Sequence, residues 1–135
     1  MRLIPTLLLL AVATGAAAAA ALPTRTPLAI LPVAPGKLVT RVETTRVDFA
    51  AGQVMPEHKH LVPVICFVAK GAFAVSIGAD PVRNVAAGEV TIEPANVVVH
   101  YFRNLSGTEP AQLQCASLAG DQDKVLNVML DPAAR

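Results

Sequence analysis

Three histidines, His58, His60 and His100, are the entire imidazole complement of the 135-residue chain, and each lies in a stretch rich in apolar or β-branched residues. His58 and His60 are two apart, so on a strand, where successive side chains alternate between faces, their rings project to one side and can grip one ion. Alone, such a pair is more often decorative or simply hydrogen-bonded. His100 strengthens the case, because it sits within Val97-Val98-Val99-His100-Tyr101-Phe102, where an imidazole buried without a partner costs on the order of a few kcal/mol. Imidazole is a ligand for zinc, iron, copper, nickel and manganese, so His58, His60 and His100 together are read as a three-nitrogen metal site. Two acids lie close by in sequence. Alternation turns Glu57 away from the face of His58 and His60, and Glu93 adjoins the turn at Pro94, so both are read first as solvated surface acids, with a substitute carboxylate ligand as the alternative for either.

The elements that must position these rings read as strands. Valine and threonine are frequent, helix-length periodicity is scarce, and strands are expected over 38–49, 58–70, 72–77, 82–86, 90–93, 97–104, 112–118 and 125–130. Glycine, proline and asparagine separate them, at Gly52, Gly71, Gly78 to Pro81, Gly88, Pro94 to Asn96, Gly107 and Gly120. Many short strands with regular punctuation predict an all-β sandwich or barrel. Phe67, Phe73, Phe102, Val75, Ile77, Val90 and Ile92 are the expected core and cavity wall. Cys66 shares the parity of His58, His60 and Val64 and is expected to face the interior.

Ahead of the strands, Arg2, the apolar run 7–12 and the small residues 16–21 have the order of a cleaved secretory signal, so residues 1–21 are expected to be removed and the protein to be periplasmic or secreted. The apolar run is too short to span roughly 30 Å of hydrocarbon, so no stable membrane anchor is expected. Residues 22–36 carry Pro23, Pro27, Pro32 and Pro35 and read as an extended arm. One domain, 37–131, and a short tail, 132–135, complete the organisation. The net charge is +1 and the basic residues are scattered, which excludes the usual signatures of nucleic-acid binding.

The histidine-bearing segments resemble the two motifs of the cupins. Gly52, His58, His60 and Gly71 fall on the first, with Val64 where the family has a glutamate; Gly88, Pro94, Asn96, His100 and Asn104 follow the second, with Asn96 in place of a glycine and one extra residue before the histidine. Asparagine tolerates the turn conformation that glycine supplies there. The resemblance spans about Val42 to Leu118. It implies a single-domain jelly-roll β-barrel with one divalent ion in its mouth, held by His58, His60 and His100, and a cavity that takes in Val64, Cys66 and Phe102. Three neutral imidazoles would leave the ion its whole charge and favour an anionic substrate. Open positions opposite three ligands suit the geometry of Fe(II) oxygenases, so Fe(II) is the favoured ion, with Zn, Mn, Ni and Cu as alternatives. Cupins that lack the glutamate include three-histidine dioxygenases, so the resemblance implies a dioxygenase-like enzyme acting on a small organic molecule. The alternative is a non-catalytic module that binds a metal or small ligand. Homodimers are common in the family, and the arm is available to take part. Cys66 has three readings: inert burial, a thiol beside the metal, or a disulfide with Cys115, which an exported address permits and which the neighbouring strands of the fold would allow.

Overall fold

The computed structural model describes residues 25–34 and 36–130; the expected signal and the tail 132–135 lie outside the described residues. Residues 25–34 form neither helix nor strand and are almost wholly exposed, as the ring-locked prolines at 27 and 32 dictate. Ten strands follow: β1 (Arg41–Phe49), β2 (Val54–Met55), β3 (His58–His60), β4 (Val64–Lys70), β5 (Ala72–Ile77), β6 (Arg83–Ala86), β7 (Val90–Glu93), β8 (Val98–Asn104), β9 (Ala111–Ala119) and β10 (Asn127–Met129). Every pairing is antiparallel. One sheet runs β1-β9-β4-β7, the other β10-β3-β8-β5-β6 with β2 also on β8. The two enclose one core as a jelly roll, and among the described strands they do not close into a continuous ladder, so the barrel expected from sequence is open along its seams.

The expected strand 58–70 is two strands in different sheets. Leu61, Val62 and Pro63 carry the chain across, and Pro63, having no N–H to give a ladder, marks the crossing. His58 and His60 therefore approach the interior from one sheet while Val64 and Cys66 approach it from the other.

Aromatic rings fill the end of the core: Phe49 and Phe73 lie 5.0 Å apart between centroids, Phe73 and Phe102 5.3 Å, Phe49 and Phe102 5.8 Å. Phe67 is not among them. Val64, Cys66 and Val68 take the inward positions of β4, which turns Phe67 outward to 43% exposure. The expectation for Val90 and Ile92 is corrected as well: β7 buries Thr91 and Glu93 and leaves its two apolar residues only half-buried on the outer face. A strand that turns its polar residues inward needs partners for them there.

Cys66 and Cys115 stand directly opposite each other on β4 and β9 and form a disulfide, 49 residues apart in sequence. Of the three readings of Cys66, the disulfide is the one realised. Asn96 adopts φ 64°, the left-handed conformation its place in the turn requires. Gly71 needs glycine on two counts: its φ is 81°, and a Cβ there would come within 2.7 Å of the Ala111 Cβ. Buried Asn104 donates to the Ala50 and Glu109 carbonyls and accepts from the Ser106 N–H, tying together the loops at that end.

Candidate metal centre

Neighbouring side chains on an inner sheet face line up in rows, because residues directly opposite in an antiparallel ladder point the same way. In the sheet that begins with β1, one row reads Glu43, Ser117, Val64, Glu93 and the next reads Thr45, Cys115, Cys66, Thr91. Val64 holds the position of the missing motif glutamate, and its direct cross-strand partner is Glu93. A carboxylate thus reaches the same region of the interior from the adjacent strand. In the facing sheet, Met129, His58, Val99 and Ile77 share a row, with Asn127 opposite His60.

His58, His60 and Glu93 converge across the gap between the sheets, with one ligand atom from each within 4.8 Å of the others. Glu93 is 3% exposed and its Oε2 lies 2.8 Å from His60 Nε2 and 4.0 Å from His58 Nε2. Its second oxygen accepts from the Thr91 hydroxyl at 3.2 Å. The His58 Nδ1 lies 2.9 Å from the Pro56 carbonyl; a carbonyl can only accept, so the proton belongs on Nδ1 and the Nε2 lone pair faces the group. This is the outer support that metal-bound histidines ordinarily have. The His58 and His60 rings stand nearly perpendicular, 86° between planes, with centroids 5.2 Å apart.

The structure does not bring His100 into this group. β8 pairs Tyr101 with Ser76 and Val99 with Ile77, so residue 100 is an extra residue in the ladder, a bulge. The bulge reverses the alternation: Val99 turns inward beside His58, and His100 turns outward, 47% exposed, with its Nδ1 2.9 Å from Glu57 Oε1. The extra residue that precedes His100 in the motif is the cause. The expectation for Glu93 is corrected in the opposite direction, since it is the last residue of β7 and buried. Its signal in the sequence was the polar alternation Thr91, Glu93 inside a strand otherwise made of Val90 and Ile92. The donor set is consequently two imidazoles and one carboxylate, which would leave a divalent ion one net positive charge in place of two, so the attraction for an anionic substrate would be weaker than with three imidazoles but still present.

The group forms part of the wall of a cavity of about 500 Å³ between the sheets. Val64, Cys66 and Phe102 line it, as do Phe49, Met55 and Leu113, and residues 124–127 and Met129 stand at its rim. Two nitrogens and a carboxylate oxygen suit Zn, Fe or Mn. A divalent ion would be held by His58 Nε2, His60 Nε2 and the Glu93 carboxylate.

No protein of curated function matches the sequence significantly. Among solved structures, the chain is similar to an oxalate oxidase in complex with the substrate analogue glycolate, at 27% identity and TM-score 0.55, over 66% of this chain and 46% of that one. It is similar in fold to the DMSP lyase DddQ from Ruegeria pomeroyi, at 20% identity and TM-score 0.57, over 67% and 44% of the two chains, and to KdgF from Halomonas sp., at 22% identity and TM-score 0.50, over 59% and 71%. The chain thus spans less than half the length of the oxidase and of the lyase. The model of the cupin domain matches residues 45–117, which includes all of the candidate centre, and the chain belongs to the cupin family.

Proposed function

We propose that the protein is an exported metalloenzyme of the oxygenase type, with one divalent ion, Fe(II) before Zn, Mn, Ni or Cu, bound by His58, His60 and Glu93, and with a small organic molecule as substrate. The observation that carries this reading is the convergence of two imidazoles and a buried carboxylate on the wall of a cavity. When bound, the ion would supply a Lewis acid with open positions for substrate and dioxygen. The chain's own residues do the rest. The Pro56 carbonyl holds His58 in the tautomer that offers Nε2. Thr91 fixes the Glu93 carboxylate. Phe49, Phe102 and Leu113 keep one side of the cavity apolar. The similarity to an oxalate oxidase supports oxygen chemistry on an organic acid. The Cys66–Cys115 disulfide supports export, since such bonds persist in oxidising compartments.

The test is metal analysis of protein purified from its own compartment, beside a Glu93→Gln variant, followed by oxygen uptake by the Fe(II)-loaded protein with hydroxy acids, enolates and thiols. Bound iron that depends on Glu93, together with uptake, upholds the proposal. Metal that binds with no uptake across the panel would identify a binding module. Equal trace metal in both proteins would end the metal reading altogether.

A further inference from the structure

Two rows separate the metal group from the far end of the cavity. Ser117 lies in the row of Glu93, Cys115 in the next, and Leu113, opposite Val47 and Val68, in the one after. Four residues of strand at about 3.3 Å each put the Leu113 row roughly 13 Å along the sheet from the Ser117 row. Beyond the Glu93 row the wall turns apolar, with Val47, Phe49, Leu113, Phe102 and Met55, and only the Thr45 hydroxyl interrupts it. Charged groups, Glu43 and Lys124, are exposed at the rim. A cavity of about 500 Å³ is of the size that encloses a molecule much larger than a two-carbon acid. Glycolate would occupy the end beside the metal group and leave water against aromatic and leucine side chains, where it finds few hydrogen-bond partners.

From this geometry we infer that the substrate is an amphipathic acid, such as a medium-chain or aryl 2-hydroxy acid, whose oxygens lie at the His58, His60 and Glu93 group and whose apolar body fills the cavity toward Leu113 and Phe49. The inference deepens the metal reading and rests on it for the polar end only. The apolar end depends on the cavity wall alone.

The experiment is calorimetric titration of Zn(II)-loaded protein with glycolate, 2-hydroxybutanoate, 2-hydroxyhexanoate and 2-hydroxyoctanoate, with bound metal quantified separately. Affinity should rise about fourfold per added methylene, the equivalent of about 0.8 kcal/mol for each one buried, so 2-hydroxyhexanoate should bind on the order of 250-fold more tightly than glycolate. Val47→Glu, at a partly exposed position of β1, should flatten the series. Glycolate binding as tightly as the longer acids, or no binding of the longer acids, overturns the inference while the metal content still stands as measured. A rising series in protein that fails to retain metal upholds the apolar end and overturns the metal reading instead.

Discussion

Replacing Glu93 by glutamine keeps the shape of a side chain that is 3% exposed and removes its charge. A unit charge pair 4 Å apart in an environment of effective dielectric about 20 is worth about 4 kcal/mol, a conservative figure for a divalent ion. Against this stands the 2.8 Å hydrogen bond between Glu93 and His60 Nε2, which an incoming ion must displace. Breaking that bond costs about 2 kcal/mol when one partner is charged and about 1 kcal/mol when both are neutral, so the variant recovers roughly 1 kcal/mol of the loss. The net expectation is about 3 kcal/mol, or on the order of 100-fold weaker binding. Competition for Zn(II) against a chromophoric chelator at pH 7 reads this directly. The double variant Val64→Glu, Glu93→Val moves the carboxylate to its direct cross-strand neighbour, about 5 Å away between Cβ atoms, and should regain at least a tenth of the lost affinity. An affinity for Glu93→Gln within threefold of wild type would refute the assignment of Glu93 as a ligand.

Three further outcomes follow from the same geometry. His100→Ala should leave metal affinity within about threefold of wild type, whereas His60→Ala should lower it by at least the 100-fold worked out for Glu93; the same chelator competition separates the two. Cys66→Ala, Cys115→Ala opens a loop of 49 residues and should cost about 2–4 kcal/mol, read as a lower urea midpoint. The Asp123 carboxyl is held below its ordinary 3.8 by its hydrogen bond from Lys37 and then by the Gly120 N–H. A depressed folded pKa stabilises above the unfolded value and ceases to do so as pH falls through the folded one, so wild type should lose more urea resistance than Asp123→Asn between pH 6 and pH 2, and equal losses would remove this role.

Much of the fold was legible because strand residues announce themselves: the β-branched runs, the glycine and proline separators and the two motif segments place most strands within a residue or two of where they lie. The short β2 escaped, being only two residues long. The break at Leu61 to Pro63 was also missed, because an apolar Leu-Val-Pro-Val run reads as continuous strand although the chain changes sheets there. His58 and His60 were legible as a pair since their spacing fixes a common face. His100 was not, because alternation counted along a strand fails wherever the ladder holds an unpaired residue, and that depends on the partner strand β5. Glu93 was hidden for a related reason. Its proximity to His60 is a matter of cross-strand register, which no linear spacing expresses.

The bulge in β8 makes the number of protein donors depend on chain length as well as on residue identity. Removing one valine from 97–99 would restore unbroken alternation and swing the imidazole of residue 100 from solvent to the interior with no substitution at any ligand. Chains that differ by one inserted residue in this segment would then differ in coordination number while sharing every histidine. Insertions and deletions here, more than point changes, are where such proteins would diverge in metal preference.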